Sequence, residues 1–274
     1  MIIYIYNNVV FHYEVIESVI QKYDQIIGKE KADDDIIYLT FGKNSSFRKY
    51  IREKYPSIIL SKPKKFDYSI SCTIYEKQKD RIIKDEKHFY VSHEVFETDN
   101  KNVFFVTPLC GNGNSIMLDV LPFPEHKKMA SIPIFAVQGY LWGSKRDLAL
   151  LDLILQEEYD YDFRIKIIGS RNLNGRFDKY GDKVINKYRL NFVNFHKEFL
   201  DCYSIIPLIS KKNFPVYYTK KLTSTINYAI AYDLNILIDQ DLQDIYNLKN
   251  ASVYKDDSDI VRVFREMLKD FYTK

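Results

Sequence analysis

The sequence predicts an α/β protein made of two parallel-sheet domains facing a central cleft. Three observations point there. Short runs of β-branched and aromatic residues alternate with helix-length segments, the pattern of strand and helix units on parallel sheets. A stretch with three prolines and a charged patch, LPFPEHKKMASIP at 121–133, interrupts that succession near the middle. A chain of 274 residues, 46% of them hydrophobic, is also long enough to bury two cores of ordinary size.

Taken in order, the first half reads as strands at 1–6, 35–41, 57–60, 67–75, 87–92, 102–108 and 116–122, with helices at 13–27 and 45–54. The second half repeats the scheme with strand 132–139, helix 146–158 and strands 163–170, 190–195 and 202–209. A short helix opening near Thr223 follows, then strand 235–239, helix 241–248, strand 251–254 and a final helix at 258–272. The expected domains are 1–130 and 131–257, followed by a C-terminal helical segment at 258–274. Parallel sheets bind ligands outside the carboxyl ends of their strands, so chemistry is sought at those ends.

Composition narrows the function classes. Forty basic residues against 37 acidic ones give a net charge of +3, too balanced for a protein whose main task is coating nucleic acid. Cys72, Cys110 and Cys202 lie far apart with no CxxC, which argues for a reducing compartment and against a thiolate zinc site. No run reaches the ~20 apolar residues needed to span a bilayer and the N-terminus lacks a basic n-region, so a soluble cytoplasmic protein is expected. His12, His88, His126 and His196 show no paired metal spacing, and the aspartates at 33–35 suit a solvated turn, so no metal is expected. Only 9 glycines occur, and neither GxGxxG nor a Walker loop is present. A bound phosphate must therefore be held by helix ends and side chains.

The strand ends of the second half supply such groups. Strand 132–139 runs into GYLWGSKRD, placing Gly139, Gly143, Lys145 and Arg146 between a strand and a helix. The next strand ends in Gly169, Ser170 and Arg171, and the one at 202–209 is followed by Ser210 and Lys211. In YYTKKLTSTINYAIAYDLNILID, Lys220 and Lys221 precede Thr223, Ser224 and Thr225 at a helix start, whose amides and dipole favour an anion. An ordinary N-cap with solvated lysines explains the same residues.

FAVQGYLWGSKRDLALLDLIL, FRIKIIGS and TSTINYAIAYDLNILID together make residues 131–257 resemble the donor-binding half of GT-B glycosyltransferases. The resemblance implies two Rossmann-like domains and transfer of a sugar from a nucleoside-diphosphate donor to a glycan or other hydroxyl acceptor. Gly139, Lys145, Arg146, Gly169, Ser170, Tyr218, Lys220, Lys221, Thr223 and Ser224 would bind the donor. By the same likeness the final helix would pack back on the first domain. Many members carry two glutamates eight positions apart, where this sequence has Thr219 and Asn227. The acidic contacts to the donor must then come from elsewhere. With lysine and arginine facing the diphosphate, neither a divalent ion nor another cofactor is required.

The first half would bind the acceptor. His93 and Glu94 follow strand 87–92, where an imidazole or carboxylate can take the proton of an acceptor hydroxyl, although a structurally satisfied histidine fits that position too. Asn7 after the first strand and Asn112 in the turn at 111–114 are candidate acceptor contacts. The rival to an enzyme is a non-catalytic nucleotide-sugar or glycan binding module of the same fold.

Overall fold

The computed structural model describes residues 1–9, 12–107, 109, 114–116, 125, 127–128, 130–141, 146–169, 173 and 175–273. Lys145, Ser170 and Asn112 lie outside the described residues, as does most of the strand expected at 116–122. The chain divides into two compact units. One comprises Met1–Leu121 with Lys220–Leu222, the other Pro122–Thr219 with Thr223–Lys274.

The first unit carries a six-stranded parallel sheet in the order β2-β1-β3-β4-β5-β6. Its strands are β1 (Ile2–Asn7), β2 (Ile36–Phe41), β3 (Tyr68–Ile74), β4 (His88–Ser92), β5 (Val103–Phe105) and β6 (Asn114–Ser115). Helix α1 (Tyr13–Ile27) joins β1 to β2 and buries the stripe Ile16, Val19, Ile20 and Tyr23, the three-to-four spacing of a helix face on a sheet. It ends at Gly28, which takes φ 70 and returns its amide to Asp24 O at 2.8 Å. Helix α2 (Ser45–Lys54) starts where Asn44 accepts a hydrogen bond from the Phe47 amide. The segment expected as a strand at 57–60 makes one parallel bridge, Tyr38 to Ile59, directly after Pro56.

The second unit holds another six-stranded parallel sheet, ordered β12-β11-β10-β7-β8-β9. Its strands are β7 (Ile134–Gly139), β8 (Arg164–Gly169), β9 (Val184–Tyr188), β10 (Ser204–Ile205), β11 (Asn235–Asp239) and β12 (Ala251–Tyr254). Around them lie α3 (Leu148–Gln156), α4 (Phe192–Lys197), α5 (Val216–Thr219), α6 (Ser224–Ala231), α7 (Gln240–Tyr246) and α8 (Ile260–Thr273). The order reverses between β7 and β10 here and between β1 and β3 in the first sheet. Those are the switch points beside which doubly wound sheets hold ligands.

Two expectations are corrected. Residues 190–195 do not form a strand: Asn191 accepts from the Asn194 amide at 2.9 Å, and Phe195 and Phe199 follow at helical spacing to pack on Tyr228, so α4 forms there. The strand at 202–209 shrinks to β10, since Pro207 has no amide to donate and Leu208 turns left-handed at φ 51. The last helix packs on its own sheet. Phe264 lies 4.4 Å from the Phe135 ring, and Val263, Met267 and Leu268 are buried with α3 residues Leu151 and Ile154.

Candidate functional site

At the switch point of the second sheet the side chains are arranged around Arg146. Gly139 ends β7 at φ 123, a conformation open to glycine but strained for other residues. The space a side chain would take there is filled by the Arg146 guanidinium: a Cβ on Gly139 would lie 2.6 Å from Nη2. Nε and Nη2 of Arg146 both donate to Gln138 O at 3.1 Å, and Nη2 donates to Thr225 Oγ1 at 3.2 Å. Thr225 in turn donates to Gln138 Oε1 at 3.1 Å. Burial pulls the Arg146 pKa below its ordinary value, opposed by the Tyr217 hydroxyl.

Asp147 is the N-cap of α3. Its Oδ1 accepts from the Ala149 amide, while Oδ2 accepts from Ser210 Oγ at 2.7 Å and Asn213 Nδ2 at 2.6 Å. One carboxylate thus joins the start of α3 to the segment following β10, across the reversal of strand order. A cavity of about 480 Å³ opens here, lined by Arg146, Asp147, the first turn of α3, Arg176, Asn213 and Phe214. It combines two guanidinium groups, the Asp147 carboxylate, a carboxamide and an aromatic ring; Arg176 pairs with Asp152 at 2.8 Å, and Asp147 caps the Ala149 amide.

The remaining donor candidates are distributed differently. Gly169 pairs with Gly139 across β7 and β8, and a Cβ there would meet Leu141 at 3.1 Å. Tyr218 is buried, its hydroxyl placed 2.8 Å from Asp239 Oδ2 and 3.2 Å from Ile209 O, and burial drives its pKa up. Thr223 is the buried N-cap residue of α6 without a side-chain cap bond, and Ser224 is the first residue of that helix. Thr225 is the hydroxyl of this run that meets the guanidinium. Lys220 and Lys221 belong to the first unit, where they pair with Glu76 at 3.3 Å and Glu94 at 2.8 Å.

In the first unit the polar groups gather around the carboxyl ends of β1 and β4. Asn7 is buried and accepts from the Val9 amide at 3.4 Å. His93 follows β4, with its ring stacked on that of His12 at 4.1 Å between centroids. Its Nε2 is shut off from solvent without a hydrogen-bond partner, and burial, helped by His12, pushes its pKa down to about 3. His93 is therefore a neutral ring with little basicity. Glu94 accepts from the Glu76 amide at 2.7 Å as well as from Lys221. Burial would raise its pKa, but those partners hold it below the usual carboxylate range.

His12, a lone histidine by its sequence spacing, is the better-placed imidazole. It precedes α1 in a left-handed conformation, φ 63, which is uncommon for a non-glycine residue. Its Nδ1 lies 3.1 Å from Glu14 Oε1, and its side chain keeps 25% of its surface exposed. Burial alone would raise the Glu14 pKa; the hydrogen bond and charge of His12 hold it low. A carboxylate on one ring nitrogen fixes the tautomer and orients the ring. The available sequence signal was HYE, an imidazole and a carboxylate two positions apart, at the start of the first helix.

Known structures share this fold. AviGT4, a glycosyltransferase involved in avilamycin A biosynthesis, matches over 98% of this chain and 96% of its own at a TM-score of 0.58 and 8% identity. Sucrose-phosphate synthase from Thermosynechococcus elongatus matches over 97% and 90%, with TM-score 0.57 and 10% identity. A glycosyltransferase from Rickettsia africae matches over 98% and 88%, with TM-score 0.55 and 10% identity. No protein-family model and no curated sequence matches the chain. The fold is that of the GT-B glycosyltransferases: two Rossmann-like domains, each with a parallel sheet.

Proposed function

We propose that the protein transfers a sugar from a nucleoside-diphosphate donor to an acceptor hydroxyl. The observation that carries this is the cavity at the β7/β10 switch point, where Arg146, Arg176 and the first turn of α3 meet. In a GT-B fold, a preorganised cationic site at that point suits a diphosphate leaving group. The second unit would hold the donor. Arg146 and Arg176 would supply positive charge without a requirement for a divalent ion, Arg176 on leaving Asp152, with which it pairs at 2.8 Å, and Phe214 is available to the rest of the nucleotide.

The first unit would supply the base. His12 Nε2 takes the proton of the acceptor hydroxyl, whose oxygen bonds to the anomeric carbon as the bond from that carbon to the diphosphate oxygen breaks. Glu14 stabilises the imidazolium, and the charge released on the diphosphate falls to the guanidinium groups. Direct displacement of this kind inverts the anomeric configuration. His93, stacked behind His12, holds its ring in place.

Isothermal titration with uridine, guanosine and adenosine diphosphates, followed by nucleotide release from the matching sugar donors, tests the proposal. Arg146→Lys should weaken nucleotide binding at least tenfold, because a point charge cannot reproduce the fork of contacts to Gln138 and Thr225. Absence of binding by any of the three would refute it. Thr219 and Asn227, standing where family members carry glutamates, favour the rival of a binding module, which requires tight donor binding without turnover. Chelation with EDTA should leave the rate unchanged.

A further inference from the structure

The two faces of the first sheet are unequal. Helix α1 packs on β1 and β3, and Ile3, Ile5 and Ile70 on one face are wholly buried. The register places Tyr4 beside Tyr38 and Ser69, and Tyr6 beside Thr40 and Ser71, on the opposite face. No described helix has extensive packing against that face, and Tyr4, Tyr6 and Tyr38 remain half-buried.

Its side chains form a connected row of rings. Tyr4 stacks on Tyr6 at 5.2 Å, Tyr4 meets Phe66 at 5.8 Å, and Phe66 meets His88 edge-on at 5.8 Å. Tyr4 and Thr40 share a hydrogen bond of 2.7 Å, leaving ring surface and hydroxyls turned the same way. On β3, Ser69 Oγ and Thr73 Oγ1 are buried without a hydrogen-bond partner, although Ser69 is only 1% and Thr73 4% exposed. Buried hydroxyls left unpaired make this layer poor as core, and the half-buried hydroxyls beside them, on Tyr4, Tyr6, Tyr38 and Thr40, suit a ligand rich in hydroxyl groups. The loop leading to Phe66 adds exposed Lys62, Lys64 and Lys65. Asp67, the acid at its end, already accepts from the Ile2 amide at 2.8 Å.

We propose that this aromatic face binds an acidic glycan chain. Sugar rings stack on the tyrosine and Phe66 faces, their hydroxyls meet the polar groups between the rings, and the lysines attract carboxylate or phosphate substituents. It rests on the proposed glycosyl transfer only in taking the bound glycan to be the acceptor. The site itself lies on the face opposite α1 and shares no residue with His12, Glu14 or the Arg146 cavity.

The test is binding of the whole chain, without donor, to an array of neutral and acidic oligosaccharides, with nucleotide binding measured separately. The wild type should retain acidic glycans. Tyr38→Ala, and separately the paired change Lys64→Glu with Lys65→Glu, should each weaken retention about tenfold, with nucleotide affinity unchanged. The lysine pair is solvent-exposed, so it remains informative if Tyr38→Ala lowers the unfolding midpoint. Retention of no glycan, preference for neutral glycans, or unchanged binding by the lysine pair would overturn the assignment. Loss of nucleotide binding in the wild type would instead strike the proposed transfer and leave the glycan face standing.

Discussion

Gly139→Ala is the sharpest perturbation of the donor cavity. The added methyl would stand 2.6 Å from Arg146 Nη2 and 3.2 Å from its Cζ. Ordinary contact needs about 3.5 Å, so the guanidinium must retreat by roughly 1 Å. That displacement strains the bonds to Gln138 O at 3.1 Å and Thr225 Oγ1 at 3.2 Å. Bonds from a charged donor are worth about 1.5–3 kcal/mol each, and a non-glycine residue in this backbone region costs a further ~1–3 kcal/mol. Together these predict a loss of about 3 kcal/mol or more in denaturant unfolding. Gly28→Ala is a milder comparison, because Gly28 sits at φ 70, a left-handed position that alanine enters at less cost than φ 123, with nothing within 4 Å of the added methyl. The excess of Gly139→Ala over Gly28→Ala combines the costlier backbone with the displaced guanidinium, and nucleotide affinity should fall about tenfold in the former alone. Equal costs for the two variants, or a folded Gly139→Ala protein with unchanged affinity, would refute the role given to the guanidinium.

Three further outcomes follow from the first unit. His12→Ala should lower kcat by about 10²–10⁴ with nucleotide affinity unchanged, Glu14→Gln should lower it less, and NMR of the product should report an inverted anomer. His93 titrates near 6.5 when unfolded but only near 3 when folded, so its contribution is complete above pH 6.5 and is lost as pH falls towards 3. The slope is about 1.4 kcal/mol per pH unit, and His93→Gln should flatten it in unfolding curves recorded across that window. Glu94 has the opposite charge type: its lowered pKa contributes stability above its ordinary value of 4.5, lost as pH falls through the folded value. Lys221→Ala should weaken that acid dependence and cost about 1 kcal/mol at neutral pH by chemical denaturation, since Lys221 is partly exposed.

Much of the fold could be read from period and punctuation. Ile3 and Ile5 alternate with Tyr4 and Tyr6 as a strand must, and α1 carries its apolar stripe at helical spacing before Gly28. Failures came where a local group outweighed pattern. Asn191 turned an aromatic run into a helix, and Pro207 cut a long apolar run to a two-residue strand. Chemistry was less legible than the fold because function depends on which partner each ion meets. Lys220 and Lys221 looked like a phosphate cradle, but sequence cannot show that Glu76 and Glu94 stand within reach. His93 and His12 are 81 positions apart in the chain, so nothing in either local sequence announces that their rings stack or that burial removes basicity from one of them.

The low glycine count does not oppose a phosphate site; it changes how one must be built. A glycine-rich loop brings amides to a phosphate by removing side chains. Here Gly139 serves a different purpose, clearing the space in which Arg146 lies against Gln138 and Thr225. Because these contacts exist without a ligand, the cation is ordered beforehand, and binding need not meet the full cost of fixing a long side chain. The same logic applies to Asp147, already held by Ser210 and Asn213. With the Ala149 amide on its other oxygen, its three bonds leave less of its capacity for a sugar hydroxyl. If Asp147 replaces the absent glutamates in gripping the donor, it must exchange one of those partners on binding. Ser210→Ala should then tighten donor binding by releasing an acceptor site, whereas a purely structural Asp147 gives weaker or unchanged binding when that hydroxyl is removed.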